Sequence, residues 1–245
     1  MTGADVPVSA LVPASPATAA SPASPVTEPQ SDAPPELEFA VLGARPVKFA
    51  AAPMLALDLQ VTQPEGRPVY MVALKLQLMI EPARRAYDAE AHQRLEELFG
   101  APERWAVTTR SLVWCALDVL VPAFTGTTTV TVPLACPYDL EVAAAKYLDG
   151  LSDGEAPLAL HFNGMVYYPA DDGSLRIVLL PWSTSIGYRM PVSVWHDTIA
   201  HYYPGTAWMA LGGGTLARLQ RRKLRRGLAT LDACVTDLLE TAADE

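Results

Sequence analysis

The sequence predicts an α+β fold: an antiparallel β-sheet or sandwich built from hairpins, with inserted short helices and C-terminal helices packed on it. Three observations carry that reading. Several segments alternate apolar and polar residues with period two, the pattern of strands with one dry face. Turn-forming residues punctuate these segments at short intervals. Strands come first and helical periodicity comes last, an order that fits α+β rather than alternating βα units.

The first clear strand spans residues 55–61, where Leu55, Leu57, Leu59 and Val61 alternate with Ala56, Asp58 and Gln60. Gln63-Pro64-Glu65-Gly66 then puts Pro and Gly at the second and fourth positions of a type I turn. Val72, Leu74, Leu76, Leu78 and Ile80 resume the alternation, so the two strands are expected to pair as a hairpin with one dry face. A helix is expected over 88–99, capped by Asp88, carrying the stripe Leu95, Leu98 and Phe99, and ended by Gly100. Strands near 111–121 and 127–134 come next, with turn residues between them at Pro122 and Gly126. Asp139 is a candidate cap for a helix running to Leu151, although residues 143–148 fit a strand as well. Residues 158–168, the turn Asp171-Asp172-Gly173 and residues 175–180 read as another hairpin. Its second strand is apolar on both faces and is expected at the centre of the sheet, while Gly164 in its first strand suggests a bulge. Near the C-terminus, Pro191 opens a helix to about Tyr203, Thr215 caps one to Arg226, Gly227 breaks it, and a last helix runs from about Thr230 to Thr241.

The chain divides at residue 36. Residues 1–36 contain eight Pro and eight Ala, no aromatic residue, no Lys or Arg, and a charge of −4 from Asp5, Glu28, Asp32 and Glu36. Such a stretch buries too little apolar surface to offset the entropy of ordering it, and Ser15-Pro16, Ser21-Pro22 and Ser24-Pro25 favour extended sampling. It reads as a disordered acidic tail, either solubilising or a Pro-rich ligand for a partner. Residues 37–245 read as a single α+β domain.

Composition narrows the function classes. The 245 residues are 50% hydrophobic and 18% charged, with a formal net charge of −9. Half-apolar composition excludes a wholly disordered chain, and no apolar run reaches the roughly 18 residues of a membrane span. The acidic balance argues against nucleic-acid or anionic-membrane binding by the whole surface. Cys115, Cys136 and Cys234 are odd in number and far apart, which is no disulfide framework and fits a reducing cytoplasm. The N-terminus has neither basic residues nor a clean apolar core of a secretory signal, so the expected compartment is cytoplasmic.

Several motifs tempt and then lose their context. Gly150-Leu151-Ser152-Asp153-Gly154 matches the nucleophile-elbow pattern, but the elbow needs a strand before the Ser and a helix after it, and here the order is reversed. Gly212-Gly213-Gly214-Thr215-Leu216-Ala217 matches a dinucleotide fingerprint, yet no strand is expected after its helix. It reads as a joint with a helix cap, or as a local anion site. His196 and His201 stand five apart, off one helical face, with no ligand set around them, and His92 and His161 stand alone. No catalytic, cofactor-binding or metal-ligating residues are therefore assigned, and no cofactor is expected.

The strongest anomaly lies at residues 218–226. Arg218, Arg221, Arg222, Lys223, Arg225 and Arg226 put six cations into nine residues. The body's net −5 thus conceals a local +6. The run reads either as a docking ridge for an acidic partner or as a solvated face that neutralises the chain's own carboxylates. Trp195 and Trp208, with Tyr202 and Tyr203, form an aromatic group that is a second candidate for partner binding, or else core.

Five segments together resemble a known family. They are Phe39-Ala40-Val41-Leu42-Gly43 with Pro46, Ile80-Glu81-Pro82-Ala83-Arg84-Arg85 with Tyr87-Asp88, Val121-Pro122-Ala123-Phe124-Thr125-Gly126, residues 138–147, and Pro191-Val192-Ser193-Val194-Trp195. Over about residues 38–240 the chain is similar to a bacterial domain-of-unknown-function family found in NiFe-hydrogenase gene neighbourhoods. The resemblance implies an accessory role in such a system and brings no catalytic residues with it. The expected function is a non-enzymatic accessory or interaction protein with a protein partner, a hydrogenase component being the suspect. The alternatives are an enzyme of unknown reaction, using Glu81, Arg84, Arg85, Asp139, Glu141 or Lys146, and an anion or nucleic-acid binder through the basic helix.

Overall fold

The computed structural model describes residues 34–136, 142–206 and 210–243. Among these residues ten strands form two antiparallel sheets and a short ribbon. The first sheet has the order β1 (Glu38–Pro46), β2 (Met54–Thr62), β7 (Thr127–Ala135). The second has the order β10 (Ser185–Pro191), β8 (Glu155–Pro169), β4 (Met71–Ile80), β5 (Leu112–Val121), with β9 (Leu175–Leu179) also beside β8. The ribbon pairs β3 (Pro68–Val69) with β6 (Phe124–Thr125).

The alternation read from the sequence chooses the inward faces. Leu55, Leu57, Leu59 and Val61 of β2 meet Val72, Leu74, Leu76, Leu78 and Ile80 of β4 in one core. Each such side chain taken out of water contributes roughly 1.5–3 kcal/mol. Phe39 of β1 stacks on Phe162 of β8 across the sandwich, with ring centroids 4.4 Å apart.

The expected hairpin between residues 55–61 and 72–80 does not form. β2 pairs with β1 and β7, whereas β4 pairs with β5 and β8. The turn itself is present: the Gly66 N–H donates to Gln63 O at 3.1 Å. It leads into β3, and the β3–β6 ribbon lies where the chain passes between the two sheets. Alternation fixes which face of a strand is buried, not which strand lies beside it, and two dry faces are covered equally well face to face.

Two other strand expectations are corrected. Residues 175–180 are not central. β9 pairs only with β8, and its outward residues Leu175, Ile177 and Leu179 are exposed. Gly164 marks no bulge, because the β4–β8 register runs through it without a shift. A Cβ there would stand 2.1 Å from the Ala73 carbonyl oxygen, so glycine is required by close backbone approach. The register shift lies in β5, between Cys115 and Val113 opposite Leu78 and Met79. Trp114 there is buried and packs edge-on to Trp195.

The expected helix at 88–99 is two short ones, α1 (Ala89–Arg94) and α2 (Glu96–Phe99), joined at Leu95. Asp88 caps α1 by accepting from Ala91 N–H at 2.7 Å, and Gly100 ends α2 with φ +76°. A further short helix, α3 (Trp105–Thr108), comes after it. Residues 143–148 are helical, in α4 (Ala143–Asp149). The expected cap Asp139 lies outside the described residues. Residues 34–36, grouped by composition with the tail, lie against the body: Pro35 is buried and Arg67 Nη2 donates to Pro34 O at 3.1 Å.

Helix α5 (Val192–Tyr202) packs on the sandwich through Val192, Trp195 and Ile199. Its end holds the β1–β2 loop, where Tyr202 Oη donates to Val47 O at 2.6 Å and accepts from Ala50 N–H at 2.9 Å. Helices α6 (Gly213–Arg226) and α7 (Leu231–Ala243) pack on each other, and their buried residues Leu219 and Cys234 lie outside the main core. Among the described residues no helix is long and apolar enough to cross a membrane.

Candidate functional site

The basic run forms most of α6. The helix begins two residues before the expected cap: Gly212 is the N-cap and Thr215 lies within the first turn. Its end is as expected. Gly227 adopts the left-handed conformation at φ +68°, with Gly227 N–H bonded to Leu224 O and Leu228 N–H to Lys223 O. The chain then reverses, and Thr230 caps α7 by accepting from Ala233 N–H at 3.0 Å.

Contacts with α7 divide the six cations. Arg222 donates to Asp237 Oδ2 from Nε and Nη2 at 3.0 and 2.6 Å, and Arg226 reaches Oδ1 at 2.5 Å. The bonds from Arg226 and then Arg222 hold the Asp237 carboxyl below its ordinary value. These two arginines therefore neutralise the chain's own carboxylate. Arg218, Arg221, Lys223 and Arg225 make no ion pair among the described residues. At about 100° per residue, Arg218, Arg221 and Arg225 fall within an arc of about 60°. All three are exposed.

Beside that arc lies apolar surface. Leu224 is 80% exposed and Leu239 67%, while Val235 and Leu238 are partly exposed. Arg218, Arg221, Arg225, Leu224 and Leu238 line an open groove of about 820 Å³ between the helices. It combines fixed positive charge with uncovered hydrocarbon.

The other candidates separate. Trp195 is corrected from partner surface to core: it is 1% exposed and packs edge-on against Trp114. A large ring on the inner face of α5 is worth more buried than exposed. Trp208 lies outside the described residues. Ser152 stands between the end of α4 and the start of β8, the helix-to-strand order that the elbow cannot use. After α6 the chain forms α7, where a dinucleotide site would need a strand. His196, His201 and His92 donate to the carbonyls of Leu151, Lys48 and Asp88 at 2.7, 2.9 and 2.6 Å. No group of three potential metal ligands occurs among the described residues.

The polar residues kept for an enzymatic reading act as braces. Arg85 donates to Glu155 O and Asp153 O, both at 2.8 Å, fixing the loop before β8. Lys146 pairs with Glu97 at 2.6 Å, tying α4 to α2. Glu81 precedes the turn at 82–84 and Arg84 is exposed there; Asp139 and Glu141 lie outside the described residues. Between these braces, Tyr147 Oη donates to Tyr87 Oη at 2.9 Å and Tyr87 Oη to Pro82 O at 2.8 Å. Burial raises both phenols above their ordinary pKa, so they stay neutral.

A further feature is foreshadowed in the sequence only by the two-faced apolarity of residues 175–180. On the outer face of the second sheet, Leu120, Ala73, Met165 and Leu179 stand in one row across β5, β4, β8 and β9. Leu120 and Leu179 are 63% and 69% exposed. Trp182, 92% exposed, borders a polar stretch with Lys75, Gln77 and His161.

Residues 34–245 match the model of a family described as "Family of unknown function (DUF6084)". No match is found among curated proteins. Solved structures with some similarity include a beta-glucosidase from Kluyveromyces marxianus (7% identity, TM-score 0.24) and beta-glucosidase 3B from Thermotoga neapolitana in complex with glycerol (8%, 0.23). These alignments cover 64% and 63% of this chain, which spans 15% and 17% of those chains. Likeness at that level carries no argument about activity.

Proposed function

The chain belongs to DUF6084, a family of unknown function, and on that premise we propose that it is a non-enzymatic accessory protein of the cytoplasm that docks a protein partner through the α6–α7 hairpin. The observation that carries the reading is the split among the cations: Asp237 takes Arg222 and Arg226, while Arg218, Arg221 and Arg225 stay exposed on one face without ion pairs among the described residues. A helix that needed only to neutralise its own domain would turn its arginines toward the domain's carboxylates. The resemblance to a family in NiFe-hydrogenase neighbourhoods makes a component of such a system the specific partner proposed. Nucleic acid is the weaker ligand, because Asp232, Asp237 and Glu240 lie along the adjacent α7 and the chain is acidic overall.

The test is affinity purification of the tagged full chain from its native host, in parallel with an Arg218→Glu/Arg221→Glu/Arg225→Glu variant. A hydrogenase subunit or maturation protein retained by the parent and lost by the variant is the expected result. Recovery of the same proteins by both would sink the docking surface, and recovery of no hydrogenase-related protein would sink the specific partner.

A further inference from the structure

We infer that the occupant of the α6–α7 groove is an acidic amphipathic helix of the partner, which lies along the hairpin and completes a three-helix bundle. The inference rests on the docking function proposed above and names the chemistry of the partner. Two features of the hairpin point to it.

The first is incomplete burial. A helical hairpin in a bundle covers an apolar stripe on each helix. Here the contact between α6 and α7 buries Leu219 and Cys234, and Cys234 Sγ lies 3.6 Å from Leu219 O. The stripe of α7 continues past that contact through Val235, Leu238, Leu239 and Ala242, spaced as one helical face, and remains uncovered. Leu224 lies across the arginine row from that stripe, at the far rim of the same groove. The uncovered hydrocarbon thus runs along the α7 axis and is met again at Leu224 across the arginines, a strip and a rim that a third helix laid along the groove covers together.

The second is charge. Arg218, Arg221 and Arg225 repeat at i, i+3 and i+7, a row about 10 Å long at 1.5 Å per residue. Carboxylates at the same spacing on a facing helix meet that row one for one, and the planar guanidinium bonds carboxylate in a bidentate fork. An extended acidic peptide, at about 3.3 Å per residue, spreads its side chains over alternate faces and does not hold the register. A bilayer is flat and does not fill a groove, and Asp232, exposed two turns before Leu239 on the same side of α7, would face its anionic headgroups. A phosphate backbone meets the arginines but leaves Leu224 and Leu238 uncovered.

The test uses the full chain and a fluorescent 21-residue probe with Leu at helical core positions and Glu flanking them. It is run against a scrambled probe of equal composition, vesicles of phosphatidylserine and phosphatidylcholine, and duplex DNA. The expected result is saturable binding of the amphipathic probe, at least tenfold tighter than the scrambled one. Arg218→Glu/Arg221→Glu and, separately, Leu224→Asp should each weaken it at least tenfold while circular dichroism stays that of the parent. Equal binding of the scrambled probe, or tighter binding of vesicles or DNA, overturns the inference. A native partner that is lost with the arginines, but whose protected segment in hydrogen exchange is not helical, also overturns it and leaves the docking function standing.

Discussion

In the sandwich, Leu57 of β2 and Leu78 of β4 are fully buried against a facing sheet. In the C-terminal hairpin, Leu238 and Leu239 continue the periodic apolar stripe of α7 and are 38% and 67% exposed. The two regions do not differ in the quality of their patterns. They differ in what the chain supplies opposite them. Two sheets cover each other, and α4 and α5 close the remaining side, whereas among the described residues the main packing partner of α6 and of α7 is the other helix of the hairpin. The body is therefore stabilised internally, and the hairpin carries apolar surface and cations that the described residues neither cover nor pair.

That contrast is tested most strongly in the body. Leu78→Ala should lower global stability by about 3 kcal/mol, through lost transfer energy and the cavity left behind, seen as a reduced urea midpoint. The same change at Leu219 should be milder globally and confined to the hairpin. Its signature is lost amide-exchange protection in α6 and α7 with the strands unaffected. Equal losses throughout would show that hairpin and body form one cooperative unit, and would break the comparison.

Gly164→Ala sharpens it from the backbone side. The added Cβ would collide with the Ala73 carbonyl, so β8 must shift from β4 at a cost of roughly 2–3 kcal/mol. Denaturation of this variant should also loosen β9, which pairs with β8 just beyond that point.

The outer face of the sheet should respond less. Ile177→Asp, at an exposed edge position, is expected to change stability by about 0.5 kcal/mol, whereas Val178→Asp, packed against the core, should cost several times as much. Similar costs would mean that something covers the outer face of β9.

The smallest effect expected is a pH dependence of the hairpin. The native Asp237 carboxyl titrates below its unfolded value, so its contribution is complete above about pH 4 and is lost as pH falls through the lowered native value. Helix-specific protection of α6 and α7 should fade in that acidic window, and Asp237→Asn should remove the fading. A variant that fades like the parent would assign the effect to another carboxylate.

Local features were legible where a few adjacent residues decide them. The cap Asp88 and the helix stops Gly100 and Gly227 are where the sequence puts them, because such a feature needs only its own turn. The reversed order around Ser152 was legible for the same reason. Pairing was not: β2 and β4 are joined through one turn and belong to different sheets. The site was half legible. Six cations in nine residues are visible in one dimension, but their division depends on Asp237, eleven residues beyond Arg226 on another helix. The aromatic candidate failed at Trp195 because its fate depends on Trp114, which stands at the register shift in β5 and packs edge-on against it.

By itself the sequence determined the α+β class, the dry face of β2 and β4, the helix stops at Gly100 and Gly227 and the concentration of charge on one helix. Each is set by interactions within a strand, a turn or a helix. The tertiary structure alone decided which strands are neighbours, that residues 175–179 lie at an exposed edge, that Trp195 is core, and that three of the arginines face outward beside uncovered leucines. Those outcomes depend on contacts between residues distant in the chain, and periodicity records what a segment is able to bury without recording what arrives to cover it.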